Sequence, residues 1–253
     1  MVNILMNGYL GRMGRVILEL SKERDDLEVI AGVDYKAPEN EVFSFATYTD
    51  YANIETKPDV IIDFSNPALL GSLLDYCLVN GVPAVLATTG YDEAQLAAIH
   101  KAAETIPVFF SFNMSLGINL LVQLAKKAAS ILGGQFDIEI VEKHHNQKID
   151  APSGTALMLA NAINETMGNS YHYVYDRHSK RQKREKTEIG MHAIRGGTIV
   201  GEHDIIFAGH DEVITLSHSA ASKEVFAVGA VNAAVFLAGQ KPGMYDMSAL
   251  MTL

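Results

Sequence analysis

The chain has 253 residues, 48% of them apolar and 20% charged, and a formal net charge of -10. That length suits one large domain or two smaller ones, and that composition is globular rather than disordered. The acidic balance argues against general nucleic-acid binding, no apolar run approaches the ~18 residues of a membrane span, and the one cysteine, Cys77, allows neither an intrachain disulfide nor a cysteine-rich metal site.

The N-terminal stretch MVNILMNGYLGRMG is a short apolar strand running into a glycine turn. It lacks a basic n-region and a cleavage site, so no signal peptide is read and a cytoplasmic location is expected. Strands are predicted at Val2–Met6, Leu27–Val33, Val60–Asp63, Ala84–Ala87 and Val108–Phe110, with helical periodicity near 11–23, 67–80 and 92–104. This alternation predicts an α/β, doubly wound, mainly parallel sheet. After Asn113 the pattern changes. A long helix is predicted over Leu116–Leu132, ended by Gly133-Gly134 as a C-cap, followed by a half-buried strand in which Phe136, Ile138 and Ile140 alternate with Asp137 and Glu139. A helix follows Pro152, strands are predicted at 188–195, 198–207 and 212–218, and a last helix over 223–238. The expected division is a dinucleotide-binding domain of residues 1–113, completed by 227–253, and an α+β substrate-binding and oligomerisation domain with a mixed sheet over 114–226. The segment 177–186 carries six Lys/Arg against one Glu; it reads either as a solvated loop or as a patch steering an anion.

Gly8, Gly11 and Gly14 follow the first strand and open the first helix, where backbone N–H groups approach a pyrophosphate. Such a turn alone also serves plain helix–strand packing. Asp34, twenty residues after Gly14 at the end of the second strand, adds an acceptor for the adenosine ribose. Lys36 leaves the cofactor open, because a cation there suits the 2′-phosphate of NADP and Asp34 suits the free hydroxyl of NAD, while a plain solvated lysine is an equal reading. The loops at 63–67, 87–90 and 111–114 also end strands, and read either as nicotinamide contacts or as ordinary βα turns.

The stretch EKHHNQKIDAPSGTA, residues 142–156, is the richest in chemistry. Asp150 or Ser153 can cap the following helix, so that N–H groups around Gly154 and Thr155 form an anion site, with Lys148 as a fixed positive charge. His144 can donate a proton near neutral pH, and His145, its neighbour on a strand, must point elsewhere. Two adjacent histidines facing opposite ways do not make a metal site, and none is expected. A structural histidine pair is the remaining alternative.

This stretch resembles the E-x-H-H-x-x-K-x-D-A-P-S-G-T-A motif of the dihydrodipicolinate reductase family. The resemblance extends over nearly the whole chain, through G-x-x-G-R-M-G at 8–14, Asp63-Phe64-Ser65, Thr88-Thr89-Gly90, Asn113-Met114-Ser115, Ile194-Arg195-Gly196-Gly197, Gly201-Glu202-His203 and Phe226-Ala227-Val228-Gly229-Ala230. It implies reduction of a cyclic, imine-bearing dicarboxylate by NADH or NADPH, a step in making diaminopimelate and lysine, by a homotetramer. By the same resemblance His144 is the proton donor and Lys148 the second catalytic donor, while His145, Gly154 and Thr155 hold substrate. The cofactor would lie on Gly8, Tyr9, Leu10, Gly11, Arg12, Met13, Gly14, Asp34, Ala87, Thr88, Thr89, Ser111, Phe112, Asn113 and Met114. Three positions depart from the family's common forms: Lys223 replaces arginine, Ala87 replaces glycine, and Tyr9 is bulkier than usual. Another two-domain nicotinamide reductase would lack the 142–156 motif, and a dinucleotide sensor without chemistry would lack His144 or Lys148.

Overall fold

The computed structural model describes residues 1–36 and 41–251, and the chain divides into two compact units, Met1–Ser115 with Glu224–Leu253, and Leu116–Lys223. In the first unit the chain runs β1 (Val2–Asn7), α1 (Arg12–Ser21), β2 (Leu27–Val33), β3 (Ala46–Tyr48), β4 (Val60–Asp63), a 3-10 turn (Pro67–Leu69), α2 (Leu70–Asn80), β5 (Ala84–Leu86), α3 (Glu93–Ala102) and β6 (Pro107–Phe110). The helices stop and start where local chemistry directs. Gly81 closes α2 in the left-handed region at φ +61°, and Asp92 with Gln95 forms a capping box on α3.

In the second unit the chain continues through α4 (Leu116–Leu132), β7 (Asp137–His144), α5 (Gly154–Thr166), β8 (His172–Val174), β9 (Glu188–Arg195), β10 (Gly201–Ala208) and β11 (Val213–Ala220). These strands form a five-stranded mixed sheet ordered β11-β10-β7-β9-β8. β10 is antiparallel to β7 and β11, while β9 is parallel to β7 and β8. Ile118, Leu121, Ala125 and Ala129 of α4 and Leu159, Ala160 and Ile163 of α5 pack with Ile138, Ile140, Ile189 and Ile205 of that sheet. In the basic segment Lys180, Arg181, Lys183 and Lys186 are exposed, and two cations are held in ion pairs. Arg184, 16% exposed, pairs with Asp137 and Glu139, and Arg177 pairs with Glu188, so two of its cations tie strands together.

The chain then returns to the first unit with α6 (Glu224–Leu237) and β12 (Gly243–Tyr245). The completed sheet has seven strands, all parallel, ordered β12-β6-β5-β4-β1-β2-β3. α6 packs on α1 and against β4, β5 and β6. It is buried along most of its length and approaches closely at Gly229, where an added Cβ would lie 1.7 Å from the Met114 carbonyl oxygen. Strand order reverses between β1 and β4, which opens a crevice at their C-terminal ends.

β3, β8 and β12 are absent from the predicted elements. Each has three residues at a sheet edge or beside it, too few to show a period. The strand predicted over 198–207 begins later, at Gly201, after a turn closed by Ile199 N–H to Gly196 O at 3.5 Å.

Candidate active site

The glycine turn is built by backbone crowding. Gly8 has φ +83°, and a Cβ on it would lie 2.4 Å from Phe64 O; a Cβ on Gly14 would lie 2.2 Å from Gly8 O. Gly14 is therefore a packing glycine, letting α1 close onto the turn. Gly11 is the N-cap of α1 and offers no side chain to its first turn, which leaves the N–H groups there uncapped by it and suited to an anion. Asp34 is buried, and its Oδ2 accepts from Leu10 N–H at 3.1 Å, which aims the carboxylate at the turn. Asn7, Gly8, Gly11, Asp34, Lys36 and Ser65 help line a cavity of about 410 Å³. A glycine cradle, an open helix start and a held carboxylate fit a dinucleotide.

Tyr9, in the glycine turn, points its ring away from that turn. Its side chain is fully buried, edge-on to Phe43 and Phe45 with ring centroids 5.1 and 5.9 Å away. Only its backbone is left for a cofactor contact, because the bulky ring that would crowd the turn is turned into the core. Arg12 is exposed, and Met13 and Leu10 are half-buried. Asp63, first residue of the loop expected either to contact the nicotinamide or to serve as a plain βα turn, organises the loops beyond β4 and β5. Its buried carboxylate accepts from Asn7 Nδ2 at 2.6 Å, Ser65 Oγ at 2.5 Å and Tyr91 OH at 3.1 Å. Burial pushes this carboxyl up, against the hydrogen bonds that hold it down. Thr88 Oγ1 accepts from Ser65 N–H at 2.8 Å, so the two loops are locked together. Ala87 and Thr88 are buried, whereas Thr89 is exposed. In the third loop, Ser111 Oγ donates to Asn113 O at 3.0 Å, Asn113 and Met114 are buried, and Phe112 stands 75% exposed.

In the second unit β7 alternates in burial, and the inward set is Ile138, Ile140, Glu142 and His144. A carboxylate and an imidazole thus continue the row of two isoleucines. Glu142 is 1% exposed. Arg195 grips it with two parallel bonds at 2.7 and 2.8 Å, and His144 Nδ1 lies 2.6 Å from its Oε2. Burial works to raise the Glu142 carboxyl, but the hydrogen bonds from Arg195 and His144 outweigh it and hold it below the ordinary carboxylate range. For His144, burial is the largest influence and holds the imidazolium below its usual range, with Glu142 opposing and Lys148 and Arg195 adding to the fall.

Ser153 is the N-cap of α5, its Oγ accepting from Ala156 N–H at 3.2 Å. That oxygen also lies 3.1 Å from His203 Nε2, and the His203 ring stands 5.2 Å from that of His144. Burial drives His203 down to about 4, so it is neutral here at physiological pH. Gly154, exposed, has open space where a Cβ would be, and Thr155 follows it half-buried. Lys148 Nζ is held 2.9 Å from Asp150 Oδ1 and is 22% exposed. His145 departs from expectation: β7 ends at His144, and His145 lies past the strand in a turn closed by Lys148 N–H to His145 O at 3.1 Å. Among the described residues its Nδ1 is buried without a partner.

Among the described residues His172, Glu185 and Glu188 bring metal-ligating atoms within 4.8 Å of one another, but Glu188 is already paired with Arg177. Glu142, Arg195 and His203 were not singled out as site residues. Glu142 opens the motif at 142–156, and Arg195 and His203 lie in two further segments of the resemblance, but nothing local joins Glu142 to Arg195.

Comparison with known proteins gives this arrangement its setting. Residues 2–114 match the family model described as dihydrodipicolinate reductase, N-terminus, and residues 117–251 its C-terminus. A 4-hydroxy-tetrahydrodipicolinate reductase of Caldanaerobacter subterraneus subsp. tengcongensis is 51% identical, covering 99% of this chain and 98% of the relative. One from Clostridium tetani is 47% identical over 99% and 97%. The solved dipicolinate-bound dihydrodipicolinate reductase from Paenisporosarcina sp. TG-14 shares the fold, with a TM-score of 0.82 at 24% identity over 97% of both chains. With the two family models together matching residues 2–114 and 117–251, and relatives near half identical over 99% of the chain, the chain belongs to the dihydrodipicolinate reductase family.

Proposed function

We infer that the chain carries the activity for which its relatives are named: reduction of 4-hydroxy-tetrahydrodipicolinate, a cyclic imine dicarboxylate, to tetrahydrodipicolinate, in the diaminopimelate route to lysine. The carrying observation is the buried Glu142–His144–Arg195 cluster beside the capped start of α5, in a member of that family. The cofactor, NADH or NADPH, supplies the hydride when bound, and the substrate's 4-hydroxyl leaves as water. The first unit holds the cofactor through the N–H groups of the glycine turn, Asp34, and the loops at 87–89 and 111–114. The second unit holds the substrate: Gly154 and Thr155 at the start of α5 receive one carboxylate, Lys148 supplies opposite charge, and His145 offers a buried ring nitrogen to a ligand. His144 delivers from Nε2 the proton that accompanies the hydride. The protein would work in the cytoplasm as a homotetramer; no helix among the described residues is long and apolar enough to cross a membrane, and Ile194 and Val213 of the second unit stand 46% and 62% exposed. Oxidation of NADPH or NADH on addition of substrate made by a coupled synthase tests the activity, and purified protein that leaves both cofactors unoxidised would refute it.

Cofactor choice is open to one substitution. Asp34 repels a 2′-phosphate, whereas Lys36 is exposed on the same cavity. Both cofactors should be used, and Asp34→Ala should raise the preference for NADPH. Titrations of the variant that move toward NADH would remove Asp34 from the ribose.

A further inference from the structure

Glu142 is 1% exposed, and both of its carboxylate oxygens are engaged, one of them with His144. Oε1 accepts from Arg195 Nη2 at 2.7 Å and from Ser153 N–H at 3.1 Å; Oε2 accepts from Arg195 Nη1 at 2.8 Å and meets His144 Nδ1 at 2.6 Å. A buried carboxylate is costly unless paired and hydrogen-bonded, and here the forked arginine supplies the pair. Arg195 is itself held, donating to the carbonyl oxygens of Ile194 at 2.8 Å and Asp150 at 2.7 Å. The carboxylate therefore has no freedom to leave the imidazole.

An ionised carboxylate only accepts, so the proton on that contact belongs to Nδ1. The neutral ring is then the Nδ1–H tautomer, and Nε2 is the atom that gains and gives a proton. Among the described residues Nε2 has no hydrogen-bond partner. A Cβ at Gly201 would come 3.2 Å from it, so glycine at that position leaves the ring its place. The other groups facing His144 are Arg195 from β9, His203 from β10, and Lys148, paired with Asp150, from the turn after β7. Glu142 is the one among them that both favours the imidazolium and touches the ring.

We propose that Glu142, clamped by Arg195, is the positioning residue of this site: it fixes the His144 ring with Nδ1–H turned inward and Nε2 presented for proton transfer, and it ties that ring to the first residue of the α5 cap. When Nε2 gives its proton to substrate, the imidazole left behind keeps the Nδ1 proton, and Glu142 stays ionised throughout. The proposal rests on His144 as the proton donor, and its test separates the two.

Nitrogen-15 correlation spectra of the imidazoles, recorded on the full protein through a pH titration, read the ring directly. Neutral His144 in the unaltered protein should be the Nδ1–H tautomer; an Nε2–H ring overturns the proposal without any variant. In Glu142→Gln the His144 titration should move to lower pH, because the neutral amide no longer favours the imidazolium, and the tautomer preference should weaken. Turnover should fall ~10- to 100-fold, the range in which outer partners of a functional histidine act, with KM nearly unchanged. A donor works only while protonated, so the high-pH fall of kcat/KM should move to lower pH as well. Glu142→Asp, which keeps the charge, should recover part of each effect. A folded Glu142→Gln protein with wild-type ring titration and tautomer refutes positioning by Glu142. A ring that shifts while turnover stays at wild type refutes His144 as the donor, and the proposal with it.

Discussion

Turnover is expected to fall by ~10²-fold or more when His144 is replaced by alanine, with substrate affinity changing much less. The protonatable atom goes, while the residues proposed to hold the two carboxylates, Lys148, Gly154 and Thr155, remain. The fold should survive the change. Glu142 would lose one contact at 2.6 Å but would keep both arginine bonds and the Ser153 N–H, so no buried charge is left unpaired. The pH profile gives a second check. Because burial holds His144 below its usual range, kcat/KM of the unaltered protein should fall as pH rises through that depressed value, where the donor loses its proton. The alanine variant should lose this limb and keep its residual rate across the same window. Steady-state kinetics showing full turnover in His144→Ala would exclude the ring as proton donor.

The second large effect concerns the anion pocket. Lys148→Ala should weaken binding of a flat pyridine dicarboxylate, because carboxylates leaving water need paired charge and aimed donors. Truncating one partner of a buried charge pair costs ~2–5 kcal/mol. Lys148 is 22% exposed and already shares its charge with Asp150, which places the expected loss near the lower end, about 2 kcal/mol or roughly 30-fold in affinity. NADPH affinity should barely change, because the residues expected to hold the cofactor belong to the first unit. Calorimetric titration of each ligand into the variant decides the matter. Equal losses for both would mean that Lys148 supports the fold at large, and unchanged dicarboxylate binding would remove it from the pocket.

Much of the architecture is legible from local pattern. β1, the glycine turn and α1 follow one another as an apolar run, three glycines and a helical period. The seventeen-residue α4 is bounded by its own periodicity and by Gly134 at φ +80°. Strands alternating with helices up to β6, then strands in succession from β9 to β11, divide the chain between a parallel and a mixed sheet. These features are local, encoded within a few residues of where they act. The stretch 142–156 is likewise continuous in sequence, so His144, Lys148 and the start of α5 could be named together.

What tertiary structure alone decided are the partnerships across strands and loops. Glu142 meets Arg195 because β7 and β9 run parallel with His144 opposite Arg195, a register that no window of either strand contains. His203 reaches Ser153 through the antiparallel pairing of β10 with β7, which sets His203 opposite Glu142. Tyr9 stands in the glycine turn, yet its ring belongs to a cluster with Phe43 and Phe45, because the space inside the core takes an aromatic ring that the turn cannot. His145 was placed by strand alternation and lies instead where the strand has ended. For Glu142, His203 and Tyr9 the residue's type is written locally, but its partner lies tens of residues away, and only the paired strands and the packed core bring the two into contact.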